Sequence, residues 1–246
     1  MASSEPRPRT ILITGATDGI GLLLAKSYAS RGHKVLATGR RVIADDQQFF
    51  SSDDITYVTA DQKNPKTAAQ TIAAAMLDMD WTKLDLAILN GAMGWTGNPQ
   101  DEPSENIRQQ IDVNFTAPIF LTQALAPWLF VDGGKLVFIG STVIFKGNGQ
   151  FATYAATKAG LAGFARSLSS EWMGRATVSI IHPGPVRTSM HAKAGLKLGM
   201  VRRFFASPRK TADAIEYSIR RGDHKRLLTR GFRWRSTFSR KREGQL

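Results

Sequence analysis

Short apolar runs alternate along the chain with longer stretches in which apolar residues recur every three or four positions, the spacing of a one-faced helix. Residues 10–13 open the series as a strand, and a glycine-rich turn then leads into a helical stretch over 21–31. Further strands are predicted at 34–38, 55–58, 84–89, 135–139 and 177–181, with a short seventh at 226–229. Between them the chain reads as helix over 67–79, 104–128, 154–172 and 211–221. The second of these is one long helix, with a bend expected near Pro118. Strand followed by helix at this spacing predicts an α/β fold: a doubly wound parallel sheet of six to seven strands with helices on both faces. Ligands in such sheets bind beyond the carboxyl ends of the strands. Chemistry is therefore expected in the turns after strands one, four, five and six.

No internal repeat, low-complexity linker or Pro/Gly-rich break divides the 246 residues, so they are read as a single domain with a basic extension over about 231–246. With 42% hydrophobic and 22% charged residues, the composition is that of a soluble globular enzyme, not of a disordered or fibrous chain. Cysteine is absent, which excludes a disulfide, a thiolate metal site and a Cys nucleophile, and suits a reducing compartment. Residues 1–9 are polar, and no apolar run approaches the roughly 18–20 residues of a membrane span. The expected location is cytoplasmic. A formal net charge of +13 first raises nucleic acid, an anionic membrane or an anionic ligand as partner. Residues 202–246, however, hold fourteen Lys and Arg against four acids, which leaves only +3 on the rest. The charge belongs to the last fifth of the chain, and nucleic acid is not the expected partner.

The turn after the first strand is Thr14-Gly15-Ala16-Thr17-Asp18-Gly19-Ile20-Gly21. Glycines let a ligand approach the backbone, and a helix N-terminus offers free N–H groups to a pyrophosphate, so Gly15, Thr17, Asp18, Gly19 and Ile20 are candidate contacts. The turn is neither GxGxxG nor a Walker loop, because no Gly-Lys-Ser/Thr follows. Asn90-Gly91-Ala92-Met93 follows the fourth strand, and Asn114 stands in Asp112-Val113-Asn114. Ser141 precedes Tyr154 by 13 residues, Tyr154 and Lys158 form Tyr-x-x-x-Lys, and His182-Pro183-Gly184-Pro185-Val186-Arg187-Thr188 follows the sixth strand. In this order and spacing, the chain resembles the short-chain dehydrogenase/reductase family to about residue 230. The resemblance implies a Rossmann-like sheet and an NADP-preferring, carbonyl reductase-like oxidoreductase. It implies catalytic roles for Asn114, Ser141, Tyr154 and Lys158. Cofactor contacts are implied for Asp61 and Gln62 beside the adenine, and for Asn90, Tyr154, Lys158, Pro183, Gly184, Val186 and Thr188. Where the family usually has Asn-Asn-Ala-Gly, Met93 places a bulky thioether, and a reshaped loop is expected there.

An acid just after the second strand of a dinucleotide fold bonds the ribose 2′-hydroxyl, whereas arginine accommodates a 2′-phosphate. Here Gly39 is followed by Arg40 and Arg41, and the planar guanidinium suits bidentate phosphate contact, so NADP(H) is the expected cofactor. Asp18 complicates this, because it is expected near the same phosphate. Reducing a carbonyl by hydride also demands a proton for the nascent alkoxide. Tyr154 can supply it, although an ordinary phenol pKa of about 10 is poorly matched to neutral pH. Lys158, four residues on, shares its helical face, and a cation near the phenol is expected to lower that pKa. None of the other three tyrosines has a lysine four residues later. By the resemblance, Ser141 orients the substrate carbonyl and Asn114 holds a water linking Lys158 to solvent.

The four histidines have no metal-ligand spacing, and no metal is expected. Ser141 has no His base implied by a motif, which argues against a hydrolase triad. Candidate substrate contacts are Trp95, Ile144, Phe151 and Met190, with Met93 nearby, although Ile144 and Phe151 read equally as core. This lining predicts a hydrophobic ketone or aldehyde, or the corresponding secondary alcohol. Residues 189–207 are the natural lid. The two long helices, by the resemblance, imply a homodimer or homotetramer. The tail from Arg230 interleaves aromatic residues with arginine, and three uses stay open: subunit packing, peripheral membrane contact and stacking on nucleic acid. Two functions stand against each other: an NADPH-dependent carbonyl reductase, and a catalytically silent NADP(H)-binding protein tethered by its tail. Four intact catalytic positions favour the first.

Overall fold

The computed structural model describes residues 8–145, 149–187, 205–222 and 225–228. Its strands are β1 (Thr10–Thr14), β2 (Lys34–Gly39), β3 (Ile55–Thr59), β4 (Leu86–Leu89), β5 (Lys135–Ile139), β6 (Thr177–Pro183) and β7 (Lys225–Leu228). All are parallel and lie in the order β3-β2-β1-β4-β5-β6-β7. This is the expected Rossmann-like, doubly wound arrangement. The chain winds outward from β1 through β2 to β3, then returns to the other side of β1 for β4. The carboxyl ends of β1 and β4 therefore flank the crevice at which such sheets bind ligands.

Alternate residues of each strand face opposite sides, and each side builds its own core. On one side Leu12, Leu36, Ala87 and Phe138 meet Ile72 of α3 (Pro65–Asp78), Leu121 and Leu125 of α5 (Ala117–Leu129), and Leu161 of α6 (Ala152–Glu171). On the other, Ile11, Ile13, Val35 and Ile88 meet Leu24 of α1 (Gly19–Ala29) and Ile215 of α7 (Pro208–Arg221). Two shorter helices among the described residues are α2 (Asp46–Phe50) and α4 (Ser104–Ile111). No helix among the described residues is long and apolar enough to cross a membrane.

Two expectations need correction. The fourth strand begins at Leu86, because residues 84 and 85 are engaged elsewhere: Leu84 N donates to the Trp128 carbonyl, and Asp85 Oδ2 accepts from Thr10 N at 2.9 Å. The helix expected over 104–128 is divided into α4, a π-helical turn over Asp112–Thr116, and α5. Proline is the physical cause. Pro118 has no N–H to offer the carbonyl of residue 114, four positions back, and its ring would collide with it in a regular helix. The widened turn takes up the misfit ahead of the proline, with Ala117 N donating to the Asp112 carbonyl.

Two glycines report on how tightly the frame is closed. A Cβ on Gly134, in the turn before β5, would fall 2.2 Å from the Leu84 carbonyl oxygen, whereas one on Gly163, inside α6, would meet nothing within 4 Å. Gly134→Ala is expected to destabilise the protein by about 1–3 kcal/mol through backbone overpacking. Gly163→Ala should stabilise it by about 0.5–1 kcal/mol through helix propensity. Urea unfolding of the two variants checks both signs.

Candidate active site

The glycine turn closes on itself and on the loop after β4. Gly15 has φ +64°, and a Cβ there would sit 2.8 Å from Gly91 Cα; a Cβ on Gly21 would sit 2.2 Å from the Gly15 carbonyl oxygen. Thr14 and Asn90 lace the two segments together. Thr14 Oγ1 accepts from Asn90 N and Gly91 N, both at 3.0 Å, and Asn90 Nδ2 donates to the carbonyls of Thr14 and Gly15 at 3.1 and 3.2 Å. Asn90 thus braces the turn from beneath. Thr14, fully buried, is a supporting residue that sequence reasoning missed. Asp18 caps α1, its carboxylate accepting from Gly19 N at 2.7 Å. Thr17 lies over Gly39, where a Cβ would come 2.9 Å from Thr17 Cγ2 and 3.1 Å from the Tyr57 hydroxyl. An acid at position 39 therefore has no room.

Beyond β2, Tyr57 and Thr59 of β3 fix the backbone of the arginine pair by donating to the Arg41 carbonyl at 2.6 and 3.0 Å. Both Arg40 and Arg41 are exposed, and Arg41 Nη2 stands 3.7 Å from Asp18 Oδ2. The pair that would receive a 2′-phosphate is thus partly countered by Asp18. Asp61 Oδ1 accepts from Lys63 N at 3.1 Å, and Gln62 is buried against Gly91 with its Nε2 unpartnered. A close-approach glycine turn at a helix N-terminus, a guanidinium pair and an orphaned amide fit a phosphorylated dinucleotide.

Asn114, on the π turn, is fully buried. Its Oδ1 accepts from Met93 N at 2.9 Å, while Nδ2 donates to the Met93 carbonyl at 2.8 Å and to Thr157 Oγ1 at 3.2 Å. The carboxamide is committed to protein partners. Met93, expected to reshape its loop, is pinned through its backbone. The next residue, Gly94, rests its backbone against the Tyr154 ring. Thr157, a second residue that sequence reasoning missed, passes the connection on by donating to the Tyr154 carbonyl at 2.8 Å.

Tyr154 and Lys158 share the inner face of α6, and both are buried. Ser141, just beyond β5, lies close enough to the Tyr154 phenol to act on its pKa; its Oγ accepts from Val143 N at 3.2 Å. Behind it, His182 Nδ1 contacts the Ser141 carbonyl at 3.2 Å. Burial pushes the Tyr154 phenol from 10.0 up to about 12, with only the nearby Ser141 side chain acting downward. Burial likewise takes the Lys158 ammonium from 10.5 down to about 8. The expected depression of the tyrosine by Lys158 is therefore not what this arrangement provides. Lys158 Nζ is turned to the Ile139 carbonyl at 2.9 Å and lies 5.9 Å from the phenol ring centre.

Around this pair the walls are apolar. Trp95 folds over Gly97, whose N–H donates to the Gln150 carbonyl, and Phe151 stands edge-on to Tyr154 with ring centres 6.5 Å apart. Ile144 and Phe151 are half-buried and belong to neither core cluster. Pro183 ends β6, Gly184 follows half-buried, and Val186 pairs with Ala206. Thr188 and Met190, almost all of the expected lid over 189–207, and the tail over 231–246 lie outside the described residues. Among the described residues no group of three His, Asp or Glu could hold a metal ion.

Comparison with known proteins agrees with this geometry. The short chain dehydrogenase family matches residues 9–198. The chain is 34% identical over 201 residues to the uncharacterized oxidoreductase YciK of Escherichia coli strain K12, covering 76% of this chain and 77% of that protein. It is 30% identical over 182 residues to the NADP-dependent 3-hydroxy acid dehydrogenase YdfG of the same strain, with 72% of each covered. Among solved structures, a short-chain dehydrogenase from Sphingobium yanoikuyae in complex with NADPH superposes with TM-score 0.76 at 26% identity, over 89% of this chain and 87% of that one.

The buried lysine generates a stability prediction. Its pKa falls from 10.5 to about 8 on folding, so its protonation opposes the folded state, fully below pH 8 and not at all above 10.5. Lys158→Met should therefore stabilise the protein at pH 7 by about 1–3 kcal/mol, net of the lost bond to the Ile139 carbonyl. The gain should shrink as pH rises from 8 towards 10.5. Urea unfolding at pH 7 and pH 9.5, about two units apart, measures the difference.

Proposed function

The chain belongs to the short-chain dehydrogenase family, and on that premise we propose that it reduces the carbonyl of a mostly apolar ketone or aldehyde with NADPH, or oxidises the corresponding secondary alcohol. The observation that carries this reading is the neutral Tyr154 phenol, buried on one face of α6 with Lys158 and set against Phe151 with Ser141 nearby. Such a group is a proton donor throughout the neutral range. The NADPH bound to the Sphingobium yanoikuyae protein and the NADP dependence in the name of YdfG support the phosphorylated cofactor.

When bound, NADPH supplies the hydride. Everything else falls to side chains of this chain. Tyr154 Oη gives its proton to the oxygen that becomes the alcohol, and Ser141 orients that oxygen beside it. With a pKa of about 8, Lys158 is charged at neutral pH, and its Nζ is held by the Ile139 carbonyl 5.9 Å from the phenol ring centre. Asn114 positions the loop that faces the phenol. Its carbonyl, denied a helical N–H by Pro118, is the group on this residue able to accept a relay water. Alcohol oxidation needs the phenolate instead, so its rate rises with pH where reduction does not.

The same reading places the pyrophosphate at Gly15, Thr17, Gly19 and Ile20, the 2′-phosphate at Arg40 and Arg41, and the adenine beside Asp61 and Gln62. Lys158 and Tyr154 would hold the nicotinamide ribose, with Pro183, Gly184 and Val186 bordering it. Trp95, Ile144 and Phe151 would face the substrate, and their apolar character selects a hydrophobic carbonyl compound. The chain is read as one dinucleotide-binding domain, pairing with further copies through α4, α5 and α6.

Two variants test this. Tyr154→Phe should lower turnover across a panel of hydrophobic ketones, followed by loss of NADPH absorbance, by about 10³-fold or more. Its NADPH dissociation constant should stay within about twofold of the parent. Full activity in that variant would overturn the mechanism. Asp18→Ser keeps a cap for α1 but removes the charge facing Arg41. It should tighten NADPH binding by about two- to fivefold and leave NADH binding unchanged.

A further inference from the structure

The hydrogen-bond ladder between β5 and β6 stops just short of Ser141. Gly140 N donates to the Ile181 carbonyl at 2.8 Å, and the next rung would need an N–H from residue 183, which is proline. Ser141 thus stands past the last rung, where a side chain takes over from the strand. His182, fully buried, sets its imidazole against the end of β5, with Nδ1 3.2 Å from the Ser141 carbonyl oxygen. A carbonyl oxygen can only accept, so the hydrogen of this contact sits on His182 Nδ1. Space for the ring is reserved by a missing side chain: a Cβ on Gly140 would fall 2.5 Å from His182 Nδ1 and 2.8 Å from its Cε1. Phe145 meets the imidazole in a T-shaped contact, with ring centres 5.3 Å apart. The ring therefore touches Gly140, Ser141 and Phe145, which bracket the turn that carries Ser141 Oγ. Val143 N, from inside that turn, donates to the same Oγ at 3.2 Å.

We propose that His182 is a positioning residue for the reduction: through the Ser141 carbonyl it sets the direction in which Ser141 Oγ meets the substrate oxygen. The role rests on the reading in which Ser141 orients that oxygen beside Tyr154, and it carries the site one residue further from the reacting atoms. Pro183 takes a backbone donor away from the end of β5, and the imidazole before it returns one to the same turn. Groups that must line up with a developing charge tolerate little displacement, since a shift of about 1 Å can cost about 10²-fold in rate. His182 itself touches neither substrate nor cofactor in this scheme, and it passes no proton.

Two measurements on the full chain test this. The first needs no substrate: nitrogen NMR of protein carrying isotopically labelled histidine, at about pH 8, where an ordinary imidazole is neutral. The His182 signal, assigned by its loss in His182→Asn, should show a hydrogen on Nδ1. An Nδ1 without hydrogen would overturn the proposal and leave the reduction reading standing. The second is steady-state reduction of acetophenone, cyclohexanone and related apolar ketones, with NADPH binding measured separately. His182→Leu keeps much of the bulk but loses the donor. Its kcat should fall about ten- to hundredfold, with KM and the NADPH dissociation constant within about twofold of the parent. His182→Asn loses the ring but keeps an N–H at the same distance along the side chain, and should retain about a third or more of the parent kcat. A packing role predicts the opposite order, with Asn worse than Leu, and that result would overturn the proposal. Gly140→Ala, which displaces the imidazole without altering it, should reproduce the loss in His182→Leu and replaces that variant if it does not fold. In a Ser141→Ala background, His182→Leu should cost less than about threefold; an undiminished cost would mean that His182 does not act through Ser141. A parent protein that reduces none of the ketones would overturn the reduction reading, and this role with it.

Discussion

The buried carboxamide of Asn114 holds three segments that the chain brings from different places. It has one acceptor and two donor hydrogens, and it uses them on both backbone groups of Met93 and on Thr157. Left unmatched, each of those polar atoms would cost about 1–3 kcal/mol in the interior. The loop after β4, the π turn and α6 must therefore arrive together or not at all. From Met93 the connection runs back to Asn90 and Gly91, and from them through Thr14 to the glycine turn. From Thr157 it runs to the backbone of Tyr154. Hydrogen bonds and the short backbone runs between them thus link the glycine turn with the backbone of Tyr154.

Tyrosine and lysine side chains ordinarily release their protons at nearly the same pH, at 10.0 and 10.5. Burial separates them here, because it disfavours whichever form is charged: the phenol moves up to about 12 and the ammonium down to about 8. A pair driven apart in this way has its acid and base roles sorted by environment. The arrangement is also unfavourable to the fold, since a buried ammonium with a single carbonyl partner opposes folding at neutral pH. Stability is surrendered where chemistry is to be done.

The sheet and the candidate catalytic residues were legible in the chain because their signals are local. Apolar runs mark β1 to β6, and the four-residue step from Tyr154 to Lys158 fixes a common helical face. What escaped depends on neighbours distant in sequence. Thr14 and Thr157 look like any β-branched polar residues until Asn90 and Asn114 are set beside them. The π turn has no local pattern, although Pro118 carries its cause. The direction of the Tyr154 shift follows from how deeply the ring is enclosed, which spacing to Lys158 does not encode. Gln62 and Gly91 read as unrelated positions until the fold sets one in the space left by the other.

Val186 and Ala206 form a parallel bridge, reinforced by Arg187 N donating to the Ala206 carbonyl and Ala206 N to the Pro185 carbonyl. The two ends of the intervening chain are therefore tied at one point beside the end of β6. The tie also fixes where α7 starts, at Pro208, relative to the end of β6, so the last described helix is registered to the sheet by three backbone groups and not by packing alone.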